Sequence, residues 1–575
     1  MDTKRKRSPW QWVPSLYFSE GIPYIIVNTV SMLIFKQLGM SNDLIAFFTS
    51  FLMFPWVLKP LWTPVVDIYG TKKRWVLGTQ FGMGVLFALA VFAMPLAFAV
   101  QLLLIIFIFL AIFSATHDAA ADGFYIVSLE PEQQAFFTGV RSTFYRISMV
   151  VAQGGVVLLA GLVQQATGIE KLEFEISGKA DTVQVAAFEN ADVGVSVAGV
   201  WYQDKFDALD ASVTAYNLNV SPADEWEIPS SDSADAIIYG VVLSLDLKTP
   251  LNGSPRQLVM ASISGSDLKV VNGDRLIFNP EFEGKPLLVI LKTNKGAEEI
   301  YAGVTVQGGN FILAWMVALG AMAALYLVLP LYHKFAMPLE RTSQSKVSSL
   351  NEFFHEFGEA FVSFFKKDKI VIILMFILLY RFAESQLLKI GSLFLVDSTV
   401  KGGLGLSNSE YGIAYGTFGV LSLLVGGIVG GWALSRKGLR YWMLPMALAL
   451  NLSDLAYVYL ATVLPESMVA ITLAIIFEQL GYGFGFAAYM LFMIYVASDS
   501  GKYSTSHFAI MTGFMALGMM LPGMFAGKMQ MDMFAGNYEL FFWWVMVATL
   551  VSIGITLVAM RIVPHSFGRP EEKSE

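Results

Sequence analysis

Residues 114–123 read Ser-Ala-Thr-His-Asp-Ala-Ala-Ala-Asp-Gly and place two carboxylates, Asp118 and Asp122, four residues apart. They follow the apolar run 102–113, so one helix carries both acids into or next to a membrane. A spacing of four puts both side chains on one helix face. Ionisable groups at membrane depth are costly and usually line a pathway or a proton relay. The stretch therefore predicts a protein that moves something across a bilayer.

The composition agrees with a membrane protein. Of 575 residues, 55% are hydrophobic and only 15% are charged, with 45 Phe and 27 Met, and the mean hydropathy is +0.58. Soluble globular chains carry more charge. Cysteine is absent, which excludes disulfides, thiolate metal sites and cysteine nucleophiles. The basic residues 4–7 precede a long segment with no small-residue cleavage site, which predicts an uncleaved first helix.

Twelve apolar stretches are long enough to cross the hydrocarbon core, which takes about 20 residues. They are 13–36, 43–66, 75–98, 101–121, 136–165, 309–333, 370–396, 411–434, 441–463, 468–497, 508–528 and 539–562. Basic residues are concentrated in alternate short loops, as in 72–74 and 436–440, on the side of the N-terminus. This asymmetry predicts that both termini are cytoplasmic.

Two segments interrupt the series of spans. Residues 168–308 alternate apolar and polar side chains, contain hairpin dipeptides such as Asn252-Gly253, and carry a net charge of −11, which leaves about +3 for the rest of the chain. We predict a periplasmic antiparallel β-sandwich of immunoglobulin-like size there. Residues 335–369 form a cytoplasmic linker in which Asn351 to Phe365 predicts an amphipathic helix beside the membrane.

These features give a predicted domain organisation. The parts are 1–167 (N-terminal half, spans one to five), 168–308 (periplasmic insertion), 309–334 (span six), 335–369 (linker) and 370–575 (C-terminal half, spans seven to twelve, and tail). The predicted fold class is an all-α membrane protein of twelve helices, six in each half, with an inserted extracytoplasmic β-sandwich.

An acid, a turn glycine and a basic cluster follow the second predicted span. They are Asp67, Gly70, Lys72, Lys73 and Arg74, and Arg436 with Lys437 and Gly438 is an approximate counterpart after the eighth span. Such groups can form a charge latch between helices. A latch repeated six spans later resembles the major facilitator superfamily, whose halves are diverged repeats. The alternative is ordinary positive charge on the cytoplasmic side.

A closer resemblance is to AmpG-type muropeptide permeases. It rests on residues 57–67 (Val-Leu-Lys-Pro-Leu-Trp-Thr-Pro-Val-Val-Asp), on 114–118 with Asp122, on Tyr145-Arg146 and Tyr380-Arg381, and on 477–481, 487–489 and 504–509. The match covers nearly all of the membrane part and none of 168–308. Related peptide and acetyl-CoA carriers share much of the pattern. Two departures from the family are Glu20, where a small residue is usual, and His117, where glutamine is usual.

Five charged residues are candidates for proton coupling or gating, and six residues for substrate binding. The first set is Asp118, Asp122, Arg146, Glu20 and Glu478, and the second is Arg381, Glu384, Lys389, Gln479, Tyr380 and Tyr482. One interpretation is a fixed ion network of Asp118, Asp122 and Arg146 that closes the cytoplasmic gate. The other is that one acid takes up a proton during transport. Basic residues that face a cavity suit a substrate bearing carboxylates.

Several other motifs carry alternatives. His117 beside Asp118 is either a proton shuttle or a hydrogen-bonded bystander. His355-Glu356-Phe357-Gly358-Glu359 begins like a zinc-protease helix but lacks the second histidine, so no metal site is expected. Neither a nucleophile elbow nor a P-loop is present. Trp201, Tyr202 and Trp226 are glycan-binding residues or, more simply, sandwich core.

The resemblance implies a non-enzymatic, proton-coupled importer of anhydro-muropeptides in a bacterial inner membrane, powered by the proton gradient without a cofactor. The expected partners are this anionic glycopeptide and the lipid bilayer, with no nucleic acid, and the insertion is expected to contact a periplasmic partner or peptidoglycan. Two alternatives stay open. One keeps transport but changes the cargo to another peptide-like or acyl-CoA-type anion. The other is a non-transporting receptor that senses a ligand through the insertion.

Overall fold

A computed structural model describes residues 7–68, 70–167, 310–338, 350–397, 402–498, 504–564 and 567, with ten strands between 169 and 309. The chain forms two compact units. The first consists of Met1–Leu158, Ala318–Phe394 and Glu410–Glu575, and the second of Leu159–Val317 and Leu395–Ser409. All candidate site residues described below lie in the first unit.

Eleven helices in the described part of the chain are long and apolar enough to cross a membrane. Numbered by the predicted span that each represents, they are span 1 (Pro9–Gln37), span 3 (Lys72–Ala93), span 4 (Ala99–Ser128), span 5 (Thr143–Ala166), span 6 (Phe311–Ala336), span 7 (Ile370–Val396), span 8 (Asn408–Lys437), span 9 (Leu439–Val463), span 10 (Met468–Ser498), span 11 (Ser506–Met533) and span 12 (Tyr538–Ile562). The helix of span 5 begins earlier, with Pro131–Val150.

The second predicted span differs from the expectation of one unbroken helix. It consists of two shorter helices, Asn42–Phe51 and Phe54–Ile68, here called span 2. Pro55 is the second residue of the latter helix. Proline lacks an N–H and fits well in the first turn of a helix, and Pro60 and Pro64 lie further along the same helix, as membrane helices tolerate. The chain leaves the helix at Leu52 and Met53, so the predicted stretch 43–66 corresponds to two helices.

Other spans contain local irregularities. Spans 1, 5, 8 and 11 include wider π-helical turns at Ile26–Val30, Val151–Val156, Gly412–Gly419 and Met529–Met533. Span 7 divides into Ile370–Leu379 and Phe382–Val396, and span 9 into Leu439–Leu452 and Leu455–Val463. Such turns free backbone groups and are frequent at functional sites of membrane helices.

The linker helix extends over Leu350–Phe365 and packs on span 11. Phe364 is fully buried, and its ring stacks on Phe514 with centroids 6.4 Å apart. Ser363 Oγ and His507 Nε2 lie within hydrogen-bond distance, at 2.8 Å. The amphipathic helix predicted from Asn351 therefore attaches through its apolar face to the helical bundle.

Ten strands form two antiparallel sheets in the second unit. They are β1 (Ile169–Gly178), β2 (Gln184–Val185), β3 (Glu189–Asn190), β4 (Val195–Tyr202), β5 (Ala236–Leu245), β6 (Arg256–Ser264), β7 (Leu268–Asn272), β8 (Arg275–Phe278), β9 (Pro286–Asn294) and β10 (Ile300–Gly309). The strand orders are β2-β1-β10-β6-β8 and β3-β4-β5-β9-β7. Hydrogen bonding between the strands defines these two sheets. The packing of the sheets into an immunoglobulin-like sandwich stays a prediction.

The bundle of the first unit is apolar inside and outside. Its exposed side chains include Phe92 (72% exposed), Val371 (69%) and Val469 (69%), which is the surface expected where the solvent is lipid. Inside the C-terminal half, the Tyr380 and Tyr489 rings stack with centroids 5.0 Å apart. The N-terminal half has its own cluster, in which Trp12 and other fully buried side chains meet.

Spans 5 and 8 approach each other closely at their π-helical turns. A Cβ atom at Gly416 would overlap the carbonyl oxygen of Gln153, and one at Gly412 would lie 3.0 Å from the carbonyl oxygen of Gly154. The two backbones are therefore in direct contact, which only small residues permit. This contact joins the N-terminal and C-terminal halves of the bundle within the first unit.

We predict that Gly416→Ala destabilises the protein by about 1–3 kcal/mol, because the added methyl must displace backbone atoms of span 5. Gly431→Ala is the matched control in the same span, since nothing lies within 4 Å of a Cβ placed there. Alanine favours helix over glycine, so this control should be neutral or slightly stabilising. Thermal unfolding of the purified protein in detergent measures both, and equal effects would contradict the proposed contact.

Candidate functional site

Three carboxylates meet in the N-terminal half. Glu20 of span 1 and Asp118 and Asp122 of span 4 have carboxylate oxygens that all lie within 4.8 Å of one another. The spacing of four on span 4 brings the two aspartates to one face, as predicted, and that face is directed toward span 1. We call these three residues the acid cluster.

Two cations neutralise the acid cluster. Lys59 of span 2 forms a salt bridge with Asp118. Arg141, in the helix of span 5, lies with Nη1 3.1 Å from Asp122 Oδ1. The Tyr17 hydroxyl donates to the same Asp122 oxygen at 3.0 Å and accepts from Arg141 Nη1 at 3.2 Å. Span 4 is therefore connected through charged hydrogen bonds to spans 1, 2 and 5.

Arg146 is not part of this network. Its guanidinium lies beside span 8, where a Cβ atom at Gly427 would be 3.5 Å from Nη1. The predicted ion network of Asp118, Asp122 and Arg146 therefore has the wrong cation. Arg141 and Arg146 are five residues apart on one helix, which corresponds to different faces, and the face of Arg141 is the one that meets span 4.

The acid cluster contains more acids than the cations that pair with it. One carboxylate oxygen each of Glu20, Asp118 and Asp122 lies within 4.8 Å of the other two, and only two cations pair with the cluster in the described part of the chain. Glu20 Oε2 is buried and has no hydrogen-bond partner in the described part of the chain. With Lys59 and Arg141 opposite three acids, one bound proton makes the cluster electrically neutral.

The acid cluster opens into a cavity between the halves of the bundle. The cavity has a volume of about 250 Å³ and includes Glu20, Lys59 and Asp118 in its wall. Tyr24, Trp56 and Tyr145 add aromatic surface from the N-terminal half, and Thr512, Met515 and Ala516 of span 11 close the opposite side. A ligand in this cavity would contact both halves, Glu20 and Asp118 together.

The C-terminal half contains its own buried ion pair. Arg381 Nε and Nη2 donate to the two Glu384 carboxylate oxygens at 2.8 and 2.9 Å, and Nη2 also donates to the Tyr482 hydroxyl at 2.5 Å. The guanidinium lies 5.0 Å from the Phe486 ring centroid. A bidentate pair of this kind neutralises the arginine, so its charge is already compensated within span 7.

Lys389 is a buried cation with neutral partners. It is 7% exposed, and Nζ donates to the backbone carbonyl oxygen of Asn28 at 3.3 Å and to Thr49 Oγ1 at 3.2 Å. These partners belong to spans 1 and 2, so the lysine links the halves of the bundle. No carboxylate lies within 4.0 Å of Nζ among the described residues.

Two further buried acids lie in spans 9 and 10. Gln479 Nε2 donates to Glu478 Oε2 at 2.9 Å, whereas Glu478 Oε1 has no partner among the described residues. Asp454 is 1% exposed, and within the same described part neither of its oxygens has a partner. Asp454, which our sequence reasoning missed, occupies the break in span 9. The available signal was an acid within an otherwise apolar stretch.

The remaining predicted substrate-binding side chains have partners of their own. Tyr380 is fully buried and donates to the backbone carbonyl oxygen of Gly485 at 2.9 Å. Gln479 Nε2 lies 3.4 Å from the Tyr415 hydroxyl in addition to its bond to Glu478. Neither residue lines the cavity beside the acid cluster. Their role in substrate binding stays a prediction.

The predicted latch is described in part. Lys73 Nζ donates to the carbonyl oxygens of Lys334 and Met337 at 3.0 and 2.6 Å, which ties span 3 to the end of span 6. The Lys72 stem lies over Gly123 of span 4, and Gly70 has a positive φ of 79° that favours glycine. The side chain of Asp67 lies outside the described residues.

Arg436, the counterpart in the second half, has a different contact. Its guanidinium lies 5.5 Å from the centroid of the Trp432 ring on the same helix. A cation over an aromatic face is a stabilising arrangement, but it connects no second helix. Lys72 and Lys73 thus contact neighbouring helices, and the charge latch itself stays a prediction.

The donor set gives no reason to assign a metal. Asp118 already forms a salt bridge with the Lys59 ammonium, and Asp122 forms one with the Arg141 guanidinium. These side chains supply the positive charge that a metal ion would otherwise bring. The expectation that the protein needs no metal and no cofactor stays a prediction.

The bundle resembles solved transporter structures over nearly its whole length. A bacterial homologue of the human lysosomal transporter Spinster, in an inward-facing and occupied conformation, aligns with a TM-score of 0.54 at 15% identity, covering 96% of each chain. The nucleoside transporter NupG aligns with a TM-score of 0.55 at 13% identity, covering 96% of this chain and 99% of that chain. At such identities the likeness establishes the fold alone.

The described part of the chain is thus a bundle with eleven helices long and apolar enough to cross a membrane, and it has the fold of these solved transporters. The chain belongs to the BT1 family, whose model matches residues 20–573. The predicted resemblance to AmpG-type permeases is confirmed.

Curated relatives carry AmpG-type names. A Rickettsia typhi protein named as transporter AmpG 2 is 23% identical over 262 residues, which is 44% of this chain and 61% of that protein. The anhydromuropeptide permease of Escherichia coli strain K12 is 26% identical over 164 residues, which is 28% of this chain and 32% of the permease. The chain thus matches less than two thirds of the length of either relative.

We predict that Lys59, and not Arg146, is energetically coupled to Asp118. Lys59→Met should lower stability by about 1–3 kcal/mol, because it leaves a largely buried carboxylate without its counter-ion, and Asp118→Asn should recover part of that loss. A double-mutant cycle on thermal unfolding in detergent measures the coupling energy. The control cycle uses Arg146→Met with Asp118→Asn. Coupling in the control cycle alone would refute the pairing.

Proposed function

We propose that the protein is a proton-coupled importer of anhydro-muropeptides across a bacterial inner membrane. The observation that carries the proposal is that three carboxylates lie within 4.8 Å of one another beside two cations, with Glu20 and Asp118 in the wall of the cavity between the halves. We infer that Glu20 and Asp118 share one proton, because crowded buried carboxylates favour binding a proton, and a proton-binding pair that faces the cavity can couple proton movement to transport. The names of the curated relatives support the cargo.

In this mechanism, binding or release of the proton changes the net charge of the acid cluster. With the proton bound, three acids face two cations and one proton, and the cluster is neutral. Loss of the proton leaves both Glu20 and Asp118 ionised, and the two carboxylates repel each other at close range. Relative movement of spans 1 and 4 relieves that repulsion. Protonation thereby biases the helix arrangement on which access to the cavity depends.

Lys389 is the cation that we assign to the anionic substrate. Arg381 is compensated by Glu384, whereas the Lys389 ammonium contacts neutral oxygens of spans 1 and 2. A substrate carboxylate can replace these contacts at a gain in electrostatic energy. The replacement would also break the connection that Lys389 makes between the halves. Substrate binding and opening of that connection would thus be one event.

A carrier of another peptide-like or acyl-CoA-type anion is the second candidate within transport. The cluster, the cavity and Lys389 suit any anion of that kind, so competition by unlabelled acyl-CoA and peptides decides between the cargoes. The receptor alternative does not require a proton-sharing pair in a cavity wall. Uptake of labelled anhydro-muropeptide into proteoliposomes, with and without an imposed pH gradient, tests the proposal. Absence of uptake both with and without the pH gradient would overturn the proposal.

We predict that Asp118→Asn abolishes gradient-driven accumulation but retains exchange of substrate across the membrane without a gradient. Asparagine keeps the shape and a hydrogen bond to Glu20 but cannot release a proton. Asp122→Asn should impair both assays, because its carboxylate holds Arg141 and Tyr17 in place. Glu466→Gln, at an exposed loop position, is the control for loss of one acid. Normal accumulation by Asp118→Asn would refute the coupling role.

The proposed orientation places both termini in the cytoplasm and residues 168–308 in the periplasm, where the predicted β-sandwich would contact a periplasmic partner or peptidoglycan. The basic loops carry this proposal. Because the chain has no cysteine, Ser254→Cys introduces a single thiol. It should react with a membrane-impermeant reagent once the outer membrane is permeabilised. Labelling only after lysis of the inner membrane would reverse the orientation.

A further inference from the structure

A chain of polar side chains runs through the N-terminal half beside the acid cluster. His117 Nε2 of span 4 lies 3.1 Å from Gln80 Nε2 of span 3. Gln80 Oε1 lies 3.0 Å from His333 Nδ1 of span 6, and His333 Nε2 lies 2.9 Å from Ser15 Oγ of span 1. His117, Gln80 and His333 are each at most 1% exposed.

The direction of the hydrogen bonds is fixed by a side branch at Ser19. The Ser19 hydroxyl donates to the backbone carbonyl oxygen of Leu16 at 2.7 Å. It therefore accepts from Gln80 Nε2, which lies 3.1 Å away. The nitrogen side of the amide faces Ser19 and His117, and the oxygen side faces His333. Hence His117 Nε2 is an acceptor, and His333 Nδ1 carries a proton.

These directions assign one tautomer to each histidine. A neutral His117 with an accepting Nε2 carries its proton on Nδ1, an atom with no partner among the described residues. A neutral His333 with a donating Nδ1 accepts at Nε2 from the Ser15 hydroxyl at 2.9 Å, which in this state does not donate to the more distant Trp12 carbonyl oxygen at 3.3 Å. The charged groups around the pair are Asp118 and Lys59 beside His117, and Lys73 beside His333.

Protonation of His117 would require the whole chain to reverse. A proton added at His117 Nε2 faces the Gln80 amide nitrogen, so Gln80 must turn by half a revolution to present Oε1. Ser19 then redirects its hydroxyl to that oxygen. The amide nitrogen now faces His333, which must accept at Nδ1 and carry its own proton on Nε2, donating to Ser15. The Ser15 hydroxyl can then donate to the Trp12 carbonyl oxygen, 3.3 Å away.

Protonation of His333 instead leaves Gln80 as it is. The second proton is added at Nε2 and is donated to Ser15 Oγ, whose own hydroxyl turns to the Trp12 carbonyl oxygen, while Nδ1 still donates to Gln80 Oε1. The two histidines lie at opposite ends of the Gln80 amide, so its single oxygen can face only one protonated imidazole at a time. A second protonated imidazole would leave two donors facing each other in a buried site, which is costly.

We propose that Gln80 links His117 and His333 into a mutually exclusive pair of proton acceptors, through which the protonation state beside Asp118 is communicated to Ser15 and span 6. The three residues are positioning residues of the transport cycle. A proton that leaves the Glu20–Asp118 pair and adds to His117 forces the Gln80 amide to turn and His333 to change its tautomer. The link to Asp118 rests on the proposed proton coupling, whereas the exclusive pair does not.

The test is nitrogen NMR of the full-length protein, labelled with ¹⁵N-histidine in lipid nanodiscs. The chain has five histidines, so single substitutions assign each signal. We expect the Nδ1–H tautomer for both His117 and His333 at neutral pH, and only one of the two to become doubly protonated on acidification. His333→Asn should change the titration midpoint of His117 by about one pH unit. His117 as Nε2–H, or double protonation of both histidines, would overturn the exclusive pair.

His507→Asn is the matched control, because His507 is a buried histidine of the other half, with Ser363 Oγ and the Ala360 carbonyl oxygen as its partners. It should leave the His117 titration unchanged. Gln80→Glu should allow both histidines to be protonated together, because a carboxylate accepts from both. Gln11→Glu, at an exposed position, controls for the added charge. Identical titrations in Gln80→Glu and the unaltered protein would refute the role of the amide.

A transport arm separates this inference from the proposed function. The pH profile of substrate exchange should change in Ser19→Ala, which removes the acceptor that orients Gln80, without loss of protein abundance. An unchanged profile would overturn the communication to Asp118. Failure of gradient-driven uptake in the unaltered protein refutes proton coupling itself, and the NMR result decides the exclusive pair independently.

Discussion

A charge inside a lipid-embedded bundle must be compensated where it stands, and the arrangement of the helices depends on that requirement. Span 4 contributes two acids, and spans 2 and 5 each deliver one cation to them. Span 7 meets the same requirement internally, through a bidentate arginine–glutamate pair. The ion pairs of the acid cluster in the N-terminal half therefore connect different helices, whereas the arginine–glutamate pair in the C-terminal half lies within one span.

This difference assigns different roles to the halves. Contacts between helices change when the helices move, so the acid cluster responds to rearrangement of spans 1, 2, 4 and 5. The internal pair of span 7 moves as a unit and keeps its geometry. Between the halves lie the Lys389 contacts to Asn28 and Thr49 and the backbone contact of Gly154 with Gly416. The mobile charges and the contacts that join the halves thus share spans 1, 2 and 5.

The sequence predicted the periodic features and missed those that depend on helix rotation. The spacing of Asp118 and Asp122 determines a common face without reference to any other helix. The cations opposite them depend on how spans 2 and 5 are turned about their axes. For span 2, the interruption before Pro55 resets that rotation, and hydropathy does not report it. Arg141 and Arg146 were therefore indistinguishable before the structure, and the wrong one was chosen.

Asp454 and the polar chain were missed for a related reason. An acid at a break between two helical segments looks like a loop residue, although the break lies within span 9. Gln80 and His333 are ordinary residues of apolar stretches, and their meaning comes from a convergence of spans 3, 4 and 6 that no local pattern encodes. Local spacing predicts which residues share a helix, whereas contact between helices has to be observed.

The charge balance of the acid cluster has an electrical consequence. Three carboxylates face two cations, so without a bound proton the cluster carries one uncompensated negative charge. A charge that moves along the membrane normal does work against the membrane potential, about 2.3 kcal/mol per elementary charge for a full crossing at 100 mV. Any step that displaces the deprotonated cluster is therefore voltage-dependent, and the same step with the proton bound is not. The membrane potential therefore exerts a net force on the deprotonated cluster and none on the neutral, protonated cluster.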